Sequence, residues 1–128
     1  MPTLNEDRAA IRDVLARYCH AFDSGNAYGV ADLFAEDGVF DPGVPGFEPV
    51  EGRDVIRGFV GSMPAGTVHH LTTDAAYDVD GDVATGIASF LVVAKGAIVT
   101  VGRYHDDLVR VDGAWRIRRR VAVGDPAA

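Results

Sequence analysis

The chain has 128 residues, of which 48% are hydrophobic and 24% charged, and its formal net charge is -7. That size and balance fit one globular domain spanning residues 1–128, and they exclude a disordered tail or a coiled coil. An acidic surface repels phosphates, so nucleic acid and anionic membranes are not expected as partners.

No apolar run is long enough to cross a bilayer, and Met1 to Asp13 lacks an apolar signal core, so a cytoplasmic location is expected. Cys19 is the one cysteine. It permits no internal disulfide and no Cys-rich metal site, and it reads as a small buried side chain.

Helical periodicity opens the chain. Ile11, Val14, Leu15, Tyr18 and Phe22 recur at three- and four-residue steps and make one apolar stripe. Asp13, Arg17 and His20 fall on the opposite, solvated face. The run Asp23-Ser24-Gly25-Asn26 should end the helix, and Asn26 should cap a second one reaching about Phe34, with Val30, Leu33 and Phe34 inward. Glu36-Asp37-Gly38 reads as a turn, and Val39 to Asp41 as a short strand. Pro42 to Pro49 reads as a Gly/Pro-rich loop placed like a lip over a cavity. A third helix from about Arg53 to Val60 should bury Val55, Ile56, Phe59 and Val60.

The second half is rich in β-branched and aromatic residues. Strands are expected over Thr67–Val79, Val83–Ala94, Ala97–Val111 and Ala114–Val123. Asp80-Gly81-Asp82, Lys95-Gly96 and Asp112-Gly113 supply tight hairpins between them. Helices first and an antiparallel meander afterwards indicate the α+β class. Strands of this length must curl to bury one face, and a curled sheet backed by about three helices leaves a hollow.

Local signatures accompany that order. Arg17-Tyr18-x-x-Ala21-x-Asp23, Leu33-Phe34-Ala35-Glu36-Asp37-Gly38 and Gly52-Arg53-x-x-Ile56 lie in the helical half. His70-x-Thr72-Thr73, Asp80-Gly81-Asp82-x-Ala84, Gly102-x-Tyr104-x-Asp106 and Asp112-Gly113-x-Trp115-Arg116-Ile117 lie in the sheet. From about Glu6 to Val123 the chain resembles SnoaL-like proteins of the NTF2-like superfamily. The resemblance implies a cone-shaped α+β barrel around one small-molecule pocket. It says less about the reaction, because one fold hosts many chemistries.

Within that superfamily, scytalone dehydratase, the bile-acid 7α-dehydratases and hexachlorocyclohexane dehydrochlorinase share an Asp–His pair, and Asp23 and His70 stand at the matching places. Tyr18 matches a tyrosine of the bile-acid enzymes, and Arg120 a pocket arginine of the dehydrochlorinase. Abstracting a proton beside a carbonyl or leaving group needs a base that titrates near neutral pH, which suits histidine. A carboxylate on the other ring nitrogen would fix the tautomer. Tyr18, on the apolar stripe, would donate to an oxygen that gains charge. Phe22, Phe34, Phe40 and Phe59 are candidates for an apolar lining.

Each of these residues also has a plain structural reading. Asp23 can be a turn residue, Tyr18 a core aromatic, and the Arg118-Arg119-Arg120 run a solvated or dimer-facing strand. Strict alternation groups His69, not His70, with Leu71, Tyr77 and Val79. A bulge between His70 and Tyr77, or a strand buried on both faces, would reverse that.

A second constellation resembles ketosteroid isomerase, with Asp41 as base, Tyr18 as oxyanion donor and Asp107 as a protonated acid. Departures are also present. Val92-Val93-Ala94 lacks the second pocket histidine of scytalone dehydratase, and Arg103-Tyr104-His105 breaks the Arg-x-Asp step of the superfamily's epoxide hydrolases. The expectation is a cofactor-independent, metal-free lyase or isomerase acting on a hydrophobic polyketide, steroid or aromatic. The other classes are a ligand-binding domain without catalysis and a homodimerisation module. Trp115, Tyr104 and Val109 are candidates for an outward dimer surface.

Overall fold

A computed structural model describes residues 2–126. Helix α1 (Leu4–Asp23) starts where the Thr3 hydroxyl accepts the Glu6 backbone N–H. It buries Ile11, Val14, Leu15, Tyr18 and Cys19, as the stripe requires, and leaves His20 exposed. Asp7 is also buried, one helical turn before Ile11. Its carboxylate accepts from Arg110 Nη1 at 2.6 Å and from Trp115 Nε1 at 3.2 Å. Helix α2 (Ala27–Asp32) is capped by Asn26, whose Oδ1 accepts the Gly29 N–H. It stops earlier than the sequence suggests, and Phe34 already belongs to a strand.

That strand, β1 (Phe34–Asp41), runs through the expected Glu36-Asp37-Gly38 turn. The turn survives as a register break between Phe34 and Val39. A two-residue strand, β2 (Val50–Glu51), pairs with β1. Helix α3 (Arg53–Gly61) buries Ile56 and Val60, but Val55 is 59% exposed, because its place on the helix points away from the sheet. The meander follows as β3 (His69–Asp80), β4 (Val83–Ala94), β5 (Ala97–Val111) and β6 (Ala114–Gly124). Two of its hairpins use positive φ at both loop residues, 52° and 75° at Lys95 and Gly96, and 51° and 79° at Asp112 and Gly113. Primed turns of this kind match the strand twist.

The six strands form one curved, unclosed sheet in the order β2-β1-β6-β5-β4-β3. The meander is antiparallel, while β1 joins β6 in parallel. The inward face and the α1 stripe share one apolar core that includes Phe34, Phe90, Tyr104, Leu108, Trp115 and Ile117. Trp115 and Tyr104 are 5% and 2% exposed. They are therefore core residues and not an outward surface, because they stand at inward positions opposite α1; Val109 is half-buried. Among the described residues no helix is long and apolar enough to cross a membrane.

Two one-residue bulges set which side chains reach the interior. On β3 the register shifts between Thr73 and Ala76, with Asp74 at φ 54°. Tyr77 and Val79 point inward beyond the shift, and His70 and Thr72 before it; His69 and Leu71 are exposed. On β6 the register shifts opposite Asp107 and Leu108, at Arg118. Trp115 and Ile117 are inward before it, and Arg120 and Ala122 after it. An extra residue exchanges the faces of everything beyond it.

Gly86, paired with Tyr77, leaves the room this geometry needs. A Cβ there would lie 2.1 Å from the Ala76 carbonyl oxygen and 2.6 Å from the Tyr77 ring. Gly86→Ala is expected to destabilise the fold by about 1–3 kcal/mol in urea unfolding. A variant as stable as the wild type would mean that Tyr77 is free to shift.

Candidate functional site

The C-terminal end of α1 meets the start of β3. There the Asp23 carboxylate accepts the His70 backbone N–H at 3.1 Å (Oδ1) and 2.9 Å (Oδ2), and its Oδ1 lies 2.6 Å from His70 Nδ1. The two side chains are only 15% and 11% exposed. An ionised carboxylate only accepts, so Nδ1 carries the proton, and in the neutral ring Nε2 keeps its lone pair. The backbone bonds hold the carboxylate while the ring bond sets the tautomer, which is the arrangement a general base requires.

His70 stands on the wall between two hollows. One is a cavity of about 300 Å³ lined by Tyr18, Phe22, Phe40, Phe59, Phe90 and Tyr104 among others. Pro42, Gly43, Val44 and Phe47 of the Gly/Pro-rich loop form part of its rim. The other is a wider groove of about 850 Å³ between α1 and β3, where Asp23, Cys19, Arg12 and His20 are found. The smaller hollow is the better ligand site despite its size, because aromatic walls with few polar groups characterise such sites. The groove instead carries the exposed, polar Arg12 and His20 on its side.

Beneath the cavity lies a buried charge. Arg120 is fully buried, and its Nε and Nη2 donate to Asp106 Oδ1 and Oδ2, both at 2.9 Å. The Tyr77 hydroxyl donates to Asp106 Oδ2 at 2.6 Å. The guanidinium carbon is 3.8 Å from the Tyr104 ring centroid and 4.4 Å from that of Tyr18. Burial works against the Arg120 charge, but Asp106 more than offsets it and holds the group protonated. Burial pushes the Tyr18 phenol up to about 12, with Arg120 pulling the other way. It raises Tyr77 too, where the Asp106 carboxylate adds to the effect, and puts Tyr104 well above the usual phenol value. All three phenols are therefore donors at neutral pH.

Not every expected residue joins the cavity. Phe34 is fully buried and packs behind the wall, with ring centroids 6.5 Å from Tyr18 and 6.2 Å from Phe40. Asp41 faces away, and its Oδ1 accepts the Gly43 N–H in a local turn. Asp107 stands on the outward face and accepts from Thr85 Oγ1 at 2.9 Å. The ketosteroid-type grouping of Tyr18, Asp41 and Asp107 is thus not assembled, because strand alternation turns both aspartates away from Tyr18. Arg120 reaches the interior but lies below the tyrosine rings, bound to Asp106. The sequence reading missed Tyr77, Tyr104 and Asp106 as a polar group. The available signal was a charged residue two positions from Tyr104 and from Leu108, on the strand's inward face. Among the described residues no three His, Cys, Asp or Glu side chains cluster as metal ligands.

Breaking a buried ion pair from one side strands the other charge. Arg120→Met and Asp106→Leu should each cost about 3–5 kcal/mol, while the double variant recovers most of that loss. Urea unfolding of the three variants measures this; strictly additive losses would show that the two groups do not stabilise one another.

Comparison with known proteins agrees with this architecture. The family model for the SnoaL-like domain matches residues 4–121. A variant of Rv3472 from Mycobacterium tuberculosis, described as of unknown function, superposes with a TM-score of 0.85 and 34% identity over 95% of this chain and 78% of its own. An NTF2-like protein with a cystatin-like fold from Novosphingobium aromaticivorans gives 0.86 and 29% over 98% and 86%. A protein from the same organism, described provisionally as a scytalone dehydratase, gives 0.80 and 25% over 94% and 85%. Nothing matches among curated proteins. With the family model spanning nearly all of the described chain and the superposed structures sharing its curved sheet and helices, this protein belongs to the SnoaL-like domain family and has the NTF2-like fold.

Proposed function

We propose that the domain is a cofactor-independent lyase or isomerase that removes a proton from a hydrophobic small molecule. The observation that carries this reading is the 2.6 Å contact between Asp23 Oδ1 and His70 Nδ1, beside an apolar cavity that His70 itself lines. His70 acts as base through Nε2. Asp23 orients the ring and stabilises the imidazolium that forms, and Tyr18 donates to the oxygen that gains charge. Acid–base help of this kind is worth roughly 10²–10⁴ in rate. The reaction asks for no metal or cofactor, since the charge that develops is met by a phenol and an imidazolium. A solved structure described provisionally as a scytalone dehydratase supports the same class of chemistry by likeness.

Proton removal is detectable before the natural substrate is known. In D₂O, the wild type should catalyse hydrogen–deuterium exchange at the carbon beside the carbonyl of a small cyclic ketone such as 1-tetralone, read by NMR. His70→Ala and Asp23→Asn should each abolish that exchange and lower Tm only modestly, with the fold retained by circular dichroism, because the His70 backbone N–H keeps an oxygen acceptor in both. Two fully active variants would end the catalytic reading, and a wild type that binds ketones without exchanging them would be a binding domain.

We also propose that the outward sheet face forms a homodimer. Ile87, Val101 and Val123 are 40%, 39% and 48% exposed there, on neighbouring strands. Light scattering coupled to size exclusion should return twice the 13.6 kDa chain mass; a monomer at micromolar concentration would refute it.

A further inference from the structure

Tyr104 has no part in the proton transfer described above, yet it lines the same cavity as Tyr18 and His70. Its ring stacks on Phe90, with centroids 4.4 Å apart and planes at 24°, and it meets the Tyr18 ring edge-on at 5.9 Å. Two aromatic contacts and the guanidinium beneath therefore fix it. The one buried side-chain nitrogen or oxygen without a partner among the described residues is Arg120 Nη1. The Tyr104 hydroxyl is not such an atom, and its residue lines the cavity.

The buried charge lies directly against these rings. Two of the three Arg120 guanidinium nitrogens bind Asp106, and the group touches both tyrosine faces. A cation against a phenol ring draws electron density from it and strengthens the O–H as a donor. Both phenols are protonated at neutral pH, so they give hydrogen bonds and do not take protons.

The rest of the wall restricts the ligand further. Phe22, Phe40, Phe59, Met63, Phe90 and Val92 are apolar, and among the described residues no lysine or arginine lines the cavity. A ligand carboxylate would lose its water, at a cost, without gaining a permanent counter-ion, since the one basic group among those lining residues is the His70 imidazole. A neutral oxygen would keep its hydrogen bonds. At about 300 Å³ the cavity is at the small end for ligand sites.

We propose that Tyr104 and Tyr18 together form the oxygen-binding end of the cavity, and that its ligand is a neutral one- or two-ring compound with a carbonyl or phenol oxygen. This deepens the cavity reading above and rests on it for where the ligand sits. It does not require His70 to act as a base.

Equilibrium binding separates the two claims, since it needs no turnover. Calorimetry with 1-tetralone, with tetralin (the same rings without the oxygen) and with 1-naphthoate (a bicyclic acid) provides the test. The wild type should bind tetralone more tightly than tetralin and naphthoate least. Tyr104→Phe keeps the ring and its stacking, so it should fold normally. It should weaken tetralone roughly five- to tenfold and leave tetralin unchanged. Tyr18→Phe should do the same. Unaltered tetralone affinity in Tyr104→Phe, equal wild-type affinities for tetralone and tetralin, naphthoate binding better than tetralone, or no binding of any of the three would each overturn the proposal. The expected pattern in a protein that fails the exchange test would leave this inference standing without the catalytic one.

Discussion

Asp23 couples the two halves of the domain through a single carboxylate. It ends the first helix and accepts both the backbone N–H and the ring nitrogen of His70, at the start of the first long strand. One bond joins helix to sheet, and the other orients a side chain at the cavity. Since the same carboxylate makes both, the position of the helix and the tautomer of the histidine are set together. Such a side chain is held by the scaffold and not by its own rotamer preference, which is what preorganisation means at a site.

The second organising feature is a charge placed where no ligand reaches it. The Arg120–Asp106 pair is fully buried, and Tyr77 adds a third hydrogen bond to the carboxylate. Pairs of this kind contribute little net stability over an apolar replacement, so their presence calls for another reason. Here the guanidinium lies against the faces of the two tyrosines that look into the cavity. Asp106 neutralises that charge, so the cavity meets the pair chiefly as a guanidinium contact on the two phenol rings. A neutral ligand oxygen finds phenol donors there, whereas an acid would find no permanent cation among the described lining residues.

The family resemblance supplied part of this and misdirected part. It placed Asp23, His70 and Tyr18 together, and they lie around one region of the fold. It also matched Arg120 to a pocket arginine, but here Tyr18 and Tyr104 separate that guanidinium from the cavity. Asp41 and Asp107 resembled members of another constellation, and one serves a local turn while the other faces outward. Side chains of the same type at matching places in the sequence can serve different ends, because a single reversal of strand face removes a residue from the site.

Periodicity and turn residues determined that there are three helices, four long strands and their hairpins, and the α1 stripe, since these depend on residues close in sequence, but they carried α2 into the start of β1. The expected lip from Pro42 to Pro49 also holds, with Pro42, Gly43, Val44 and Phe47 at the cavity. Tertiary structure decided which face of each strand meets the core. Alternation carried back from Tyr77 selects His69, and carried on from Ile117 it selects Arg119. The bulges at Asp74 and Arg118 turn His70 and Arg120 inward instead. The parallel pairing of β1 with β6 and the three-way contact of Asp106 with Tyr77 and Arg120 were hidden for the same physical reason. A bulge or a buried polar contact is fixed by partners far along the chain, and local patterning carries no record of them.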